Sequence, residues 1–239
     1  MNVTTIRRHF EPLVRQAGPG RTGRRSAAFT LIELLVVIGL IALLSGGVGL
    51  ALRDTGANEL ANAQIVLATL VGTTRAQAAV LQTEARLLIH GTRPPAGDGE
   101  KFLRLLQVVT ADPAGSGNWR AAGEPVFLPR GIYVVPDSTE GLVAPDVVWP
   151  AGATATSSLG AATFNPALDS GAFGGAHWLE FRADGSVGCA DGAEGTIRVL
   201  LTVGRKENDL PRFTHPSRVR GLLVRPTGAV AFLNKWEDF

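Results

Sequence analysis

The chain has 239 residues, of which 45% are apolar and 18% charged, so neither a disordered chain nor a protein with many membrane spans is expected. Residues 1–28 hold six arginines and one glutamate, a net of +5, while the whole chain carries only +2. The remaining residues therefore sum to −3, which argues against a basic nucleic-acid-binding domain. The single cysteine, Cys189, excludes an intramolecular disulfide and is expected to be a small core residue.

A segment without charge runs from Leu34 to Leu52. As a helix it would be roughly 28 Å long, enough to cross the hydrocarbon core of a bilayer. The arginines lie on its N-terminal side, so the positive-inside rule predicts that residues 1–28 stay in the cytoplasm. We expect a single-pass protein of the bacterial inner membrane whose C-terminal part is exported.

Three interpretations of this segment compete: a secretory signal peptide cut near Ala51, an uncleaved anchor, and a helix released by cleavage between Ala28 and Phe29. Glu33 distinguishes them, because a carboxylate in an apolar helix is costly unless it is paired. Only the third interpretation supplies a partner, since cleavage creates an α-amino group about one helical turn before Glu33. Such a pair would set the axial register between packed helices.

The stretch RRSAAFTLIELLVV, residues 24–37, resembles the processing site of type IV prepilins and type II secretion pseudopilins. The resemblance implies cleavage by a prepilin peptidase after Ala28, N-methylation of Phe29, and Glu33 as the assembly glutamate. It also implies three partners: other pilins or pseudopilins contacted through the N-terminal helix, an inner-membrane assembly platform, and membrane lipid. Ala28 stands where glycine is usual, which leaves slower processing open.

Residues 58–82 keep a helical rhythm that places eight residues on one face. We therefore predict one helix from about Phe29 to Gln82, with a membrane and assembly part at 29–53 and an amphipathic part at 54–84. Three glycines within it indicate either a flexible joint or ordinary packing of a membrane helix. They are Gly46, Gly47 and Gly49. The residues of the predicted buried face are Leu60, Ala63, Leu67, Leu70, Val71, Thr74, Ala78 and Leu81.

Beyond the helix the hydrophobic period changes to two and turn residues multiply, which predicts an exported, β-rich head domain at 85–239. The fold class is therefore α+β, a long N-terminal helix packed on an antiparallel sheet. Asp184-Gly185 favours a type I′ hairpin turn, and Pro226-Thr227-Gly228 favours a short hairpin loop. The predicted strands are 85–90, 101–110, 126–135, 177–183, 186–190, 196–203, 218–225 and 229–233.

Three short motifs along this domain resemble the H-type minor pseudopilins of type II secretion and their relatives in pili. They are TTRAQAAV at 73–80, F-x-x-D-G-S from Phe181, and R-G-L-L-V-x-P-x-G-x-V from Arg220. This resemblance implies a minor component near the tip of a pseudopilus rather than its main subunit.

Residues 136–176 form a long stretch rich in Gly, Ala, Ser, Thr and Pro, in which Trp149, Phe164 and Phe173 are widely spaced. Long loops in compact domains are usually functional or disordered. The isolated aromatic residues favour a loop that contacts a partner, and an insertion without a role is an equal alternative.

No motif for catalysis or for a cofactor is evident, so the chain is predicted not to be an enzyme and to need no cofactor. The four histidines, His9, His90, His177 and His215, lack metal-ligand spacing. A calcium site at Asp184, Asp191 and Glu194 is a weaker hypothesis, because their spacing fits no EF-hand loop. The main alternative to a pilin-like subunit is an exported soluble or anchored domain, binding or enzymatic, behind an ordinary signal peptide.

Overall fold

A computed structural model of the protein describes residues 30–51, 55–94, 98–113, 115, 117–151, 156–164, 168, 173, 175–188 and 195–238. Within these residues the order is two α-helices, twelve β-strands and a short 3-10 helix, Trp236–Asp238. The chain divides into two units, Met1–Gly49 and Leu50–Phe239. Helix α1 spans Leu31–Ala51 and helix α2 spans Thr55–Leu81. The predicted continuity between them falls on residues outside the described ranges.

Helix α2 buries the face that its hydrophobic rhythm predicts. Leu81, the last residue of that predicted face, is instead 52% exposed, because the helix ends there and Gln82 adopts a φ of +51°. Gln64 is buried as well, and its side-chain amide donates to the carbonyl oxygens of Gly221 and Leu233 at 2.7 and 2.9 Å. The buried residues of the predicted face are Leu60, Ala63, Leu67, Val71, Thr74 and Ala78.

Among the described residues, one helix is long and apolar enough by length and composition to cross a membrane, Ala57–Leu81. A core helix of a soluble domain can pass the same test. Because Leu60, Leu67 and Val71 of this helix lie in the main core with residues of both sheets, we assign it to the head domain. A shorter apolar helix, Leu31–Ile41, belongs to α1, where the sequence predicts the membrane segment.

The first sheet has seven strands in the described part of the chain, all paired antiparallel. Its order is β3-β2-β1-β7-β6, with β4 also beside β2 and β8 also beside β7. The strands are β1 Ala85–His90, β2 Leu105–Ala111, β3 Trp119–Ala121, β4 Val126–Phe127, β6 Gly160–Phe164, β7 Ala176–Phe181 and β8 Val187–Gly188.

The second sheet has five antiparallel strands in the order β10-β9-β11-β12, with β5 also beside β9. The main core joins α2 to one face of each sheet, and a smaller cluster of buried residues covers the other face of each. The strands are β5 Ile132–Val135, β9 Ile197–Glu207, β10 Leu210–Phe213, β11 Val219–Val224 and β12 Val230–Leu233.

The predicted strands are found in place, although several differ in length. The predicted strand 101–110 begins only at Leu105, because turns occupy residues 101–104 and Leu103 has a φ of +58°. The predicted strand 126–135 is divided into β4 and β5 by a turn. Strands β3, β6 and β10 were not predicted. Asn208 and Asp209 join β9 to β10 with φ values of +49° and +63°, as a two-residue type I′ turn requires.

The tips of the β7–β8 and β11–β12 hairpins have the same backbone geometry. In each, a backbone hydrogen bond closes a four-residue turn whose last residue is a glycine with positive φ: Gly185 at +78° and Gly228 at +76°. The predicted short loop at 226–228 is confirmed. The predicted type I′ turn at Asp184-Gly185 is wrong, because that turn needs positive φ at both residues and only Gly185 has it. Asp184 instead accepts a 2.8 Å bond from the amide of Ser186.

The aromatic residues of the 136–176 stretch pack within the head domain. Trp149 lies 5.5 Å from Phe213 between ring centroids, Phe164 belongs to β6, and Phe173 lies 5.8 Å from the ring of His90. They are therefore not isolated, which removes the observation behind the proposed partner-contacting loop.

His90 gives the head domain a predicted dependence on pH. Its side chain is buried, its Nδ1 atom has no hydrogen-bond partner in the described part of the chain, and burial, aided by the charge of Lys101, lowers its pKa. Below about pH 6.5 His90 binds a proton in the unfolded chain, whereas in the folded chain it binds a proton only at lower pH. The free energy of unfolding therefore falls on acidification from pH 7. We expect a loss of up to about 1.4 kcal/mol per pH unit in that window.

Urea titrations of the full-length protein in detergent at pH 7 and pH 5 measure this loss. His90→Phe, which retains a ring beside Phe173, should show a smaller difference between the two pH values. An equal difference in both proteins would contradict the assignment to His90.

Candidate functional site

The first turn of α1 is closed by a capping box, a reciprocal pair of side-chain to backbone hydrogen bonds. The hydroxyl of Thr30 accepts a 3.2 Å bond from the amide of Glu33, and the Glu33 carboxylate accepts bonds from the amide and hydroxyl of Thr30, both at 3.4 Å. The amide of Leu34 donates to the carbonyl of Thr30 at 3.2 Å, which starts the helix. Thr30 is therefore the N-cap, and Glu33 is the third residue of the helix.

This geometry gives Glu33 a role that the sequence prediction missed, although the T-x-x-E spacing carries the signal. In the single chain, the carboxylate satisfies two donors at the positive end of the helix dipole. It stands two residues after Leu31, the first residue of a helix that is apolar from Leu34 onward. The role of Glu33 in assembly stays a prediction. The predicted processing residues, Ala28 and Phe29, lie outside the described residues, so their roles stay predictions.

The remaining residues predicted for this segment are Gly46, Gly47 and Gly49, which lie in helical geometry within α1. Their predicted flexibility is not tested by that geometry and stays a prediction.

The outer face of α2, opposite its buried face, carries no charge over its whole length. Its residues follow a spacing of three and four, which places them on one stripe of the helix. Ile65 and Val80 on this stripe are 58% and 77% exposed, unusually high for large apolar side chains. The stripe consists of Asn58, Asn62, Ile65, Thr69, Thr73, Ala76 and Val80.

The hydroxyl groups on this outer face are satisfied within the helix. Thr69 donates to the carbonyl of Ile65 and Thr73 donates to the carbonyl of Thr69, each at 2.9 Å. Neither hydroxyl therefore needs a water molecule as acceptor, and burying them costs less than burying a free hydroxyl. The outer face is thus suited to packing against an apolar surface or another helix.

A cluster on the first sheet surrounds the guanidinium of Arg86. Its central carbon lies 4.3 Å from the ring of Trp119, 4.5 Å from Phe164 and 4.1 Å from Trp178. The carboxylate of Glu180 accepts from Arg86 at 2.6 and 2.7 Å, and the two side chains are only 16% and 14% exposed. Three cation–π contacts and a mostly buried ion pair thus stabilise this one guanidinium. We call the three rings and Glu180 the Arg86 cage. Because Arg86 of the same chain occupies this cage, we assign the cage a structural role.

The other residues singled out from the sequence are not brought together into a site. His90 and His177 are buried on neighbouring strands, and no group of three or more His, Cys, Asp or Glu residues with metal-binding geometry occurs among the described residues. Asp184 is a turn residue. Cys189, Asp191 and Glu194 lie outside the described residues, so the calcium hypothesis is not tested at those positions.

The family comparison identifies the N-terminal segment. A family model described as the prokaryotic N-terminal methylation motif matches residues 23–49. The match includes the predicted cleavage position and most of α1, and it confirms the resemblance to a prepilin-type N-terminus. No curated protein matches the chain significantly in sequence.

Among solved structures, the chain is similar to the type IV minor pilin FimU of Pseudomonas aeruginosa, with 12% identity, a TM-score of 0.38, and coverage of 75% of this chain and 91% of that one. It is also similar to the minor pseudopilin EpsH from the type 2 secretion system of Vibrio cholerae, with 11% identity, a TM-score of 0.36, and coverage of 74% and 97%.

Proposed function

We propose that the chain is a structural subunit of a pilus or a type II secretion pseudopilus, made as a prepilin and processed before assembly. The observation that carries this proposal is the methylation motif at residues 23–49, in which Glu33 stands at the head of an apolar helix. A peptidase removes residues 1–28, and Phe29 becomes the methylated N-terminus. The resemblance to H-type pseudopilins further favours a minor subunit.

Glu33 supplies the register contact in this proposal. Before assembly the carboxylate is held by Thr30 in the capping box. In the filament it pairs with the α-amine of Phe29, of the same chain or of a neighbour. The capping box supports this role, because it holds the carboxylate at the N-terminal end of α1, and an ion pair in low dielectric is strong.

The helices supply the packing surface. Helix α1 lies in the inner membrane as a temporary anchor, with the arginine-rich leader in the cytoplasm and the head domain exported. On assembly it leaves the lipid and packs on the helices of other pilins or pseudopilins. The uncharged outer face of α2, with its internally bonded threonine hydroxyls, supplies a second packing surface in the exported part of the chain. An assembly platform in the membrane drives the process, with the subunit acting as a passive building block.

Mass spectrometry of the mature protein tests the proposal. We expect the chain to begin at Phe29 and to carry one methyl group on its α-amine. Ala28→Gly restores the usual small residue of this site and should be cleaved at least as fast as the natural sequence. A mature N-terminus near Leu52, or an intact leader in a strain that contains the peptidase, would contradict the proposal and favour an ordinary signal sequence.

A further inference from the structure

Arg75 of α2 lies against the tips of two hairpins, the β7–β8 tip at Gly185 and the β11–β12 tip at Gly228. A Cβ atom at Gly228 would lie 2.7 Å from Nε of Arg75 and 2.7 Å from the carbonyl oxygen of Gly185. At Gly185 it would lie 3.3 Å from the same Nε. Positive φ favours glycine at both tips, and at Gly228 the backbone carbonyl of Gly185 also leaves no room for a Cβ atom. A 2.9 Å bond from the amide of Val187 to the carbonyl of Pro226 joins the two hairpins.

This contact unites parts of the chain that are far apart in sequence. The two hairpins belong to different sheets, and α2 packs on both. The three short motifs that resemble H-type pseudopilins contain Arg75, Gly185 and Gly228, respectively. One spatial contact therefore includes a residue from each motif.

The position of Arg75 on the helix also matters. Glu59 and Arg75 are the only charged residues in the sequence of α2. Arg75 follows the buried Thr74 and precedes Ala76 on the outer face. Successive residues are rotated by about 100°, so Arg75 stands at the border between the two faces. From there its long side chain lies over the glycine tips rather than over the outer face.

We propose that Arg75 is a positioning residue that fastens α2 to both hairpin tips and thereby keeps its charge off the face used for assembly. The proposal rests on the proposed function, because it gives the outer face of α2 a role in subunit packing. An unpaired cation on that face would lose its hydration when helices pack, and this desolvation is costly. The glycine tips provide the space in which the cation stays beside the backbone and near water.

Three variants of the full-length protein test two claims: that Arg75 fastens α2 to the hairpin tips, and that assembly needs an uncharged outer face. Arg75→Met keeps the alkyl stem but removes the cation. Ala76→Arg places a cation on the outer face without disturbing Arg75, and Ala76→Gln is its uncharged control of comparable length. Hydrogen exchange at the Val187 amide reports on the fastening, and the fraction of subunit recovered in sheared filaments reports on assembly.

We expect Arg75→Met to raise the hydrogen-exchange rate of the Val187 amide at least tenfold and to leave exchange in β1 unchanged. A tenfold increase corresponds roughly to the loss of one modest interaction. Ala76→Arg should reduce incorporation at least tenfold with normal exchange, and Ala76→Gln should incorporate normally. Unchanged exchange at Val187 in Arg75→Met would overturn the fastening role. Normal incorporation of Ala76→Arg would overturn the assembly role of the outer face. Failure of the proposed function is distinguished separately, by a mature N-terminus other than Phe29.

Discussion

Glu33→Ala is expected to leave cleavage of the leader largely intact and to abolish incorporation of the subunit into filaments. In the proposed function the peptidase cuts between Ala28 and Phe29, and Phe29 lies four residues before the substituted position, whereas assembly depends on the carboxylate itself. Loss of a charge pair in low dielectric exceeds the roughly 1.4 kcal/mol that corresponds to a tenfold change in an equilibrium. Quantitative blotting of the membrane and sheared filament fractions measures the effect, with leader removal scored from the mobility of the same bands.

Glu33→Gln separates the two roles of this residue. Glutamine can keep the capping box with Thr30, since its side-chain oxygen accepts the same hydrogen bonds, but it carries no charge. We expect it to fail in assembly as alanine does, with the start of α1 preserved. Normal assembly of Glu33→Gln would show that the cap, and not the ion pair with Phe29, is what assembly needs.

Arg86→Leu is expected to lower the free energy of unfolding by about 3 kcal/mol, the largest single loss in the head domain that we predict. The substitution leaves the carboxylate of Glu180, which is only 14% exposed, beside three aromatic rings without its cation. It also releases the contact that ties β1 to β3, β6 and β7. Urea unfolding of the full-length protein in detergent, followed by tryptophan fluorescence to which Trp119 and Trp178 contribute, measures the loss.

The double variant Arg86→Leu/Glu180→Leu is the matched control. It removes the stranded carboxylate and replaces both members of the pair by apolar side chains, so it should be more stable than Arg86→Leu alone. Equal stability of the single and double variants, or a loss below about 1 kcal/mol in the single variant, would contradict the role assigned to the cage.

Local patterns predicted the elements whose formation depends on neighbouring residues. The three-to-four spacing in residues 58–82 identified the buried face of α2, and it failed only where the helix ends, at Leu81. The alternation of apolar and polar residues identified β1, β7, β9, β11 and β12, with their ends correct to within a few residues. It missed β3, β6 and β10, which are short or lie in loop-like sequence and are held by pairing with a neighbouring strand rather than by their own pattern.

The N-terminal segment and the Arg86 cage differ in the same way, because the first is contiguous in sequence and the second is not. The prepilin-type N-terminus was recognisable from residues 24–37 because its motif lies in one contiguous stretch of sequence, and the family model confirms the motif at residues 23–49. The Arg86 cage had no such signal. Its members, Trp119, Phe164, Trp178 and Glu180, come from three strands and are brought together only by the order of the first sheet.

The sequence by itself determined the prepilin-type N-terminal motif, the apolar helix with its single carboxylate, and the α+β class, because each follows from the chemistry and period of adjacent residues. The tertiary structure alone decided what Arg86 pairs with, that the hairpin tips at Gly185 and Gly228 meet, and that Arg75 lies against both of them. These depend on strand pairing between residues about a hundred positions apart, as from Arg86 to Glu180, and no local pattern specifies which distant strands will meet.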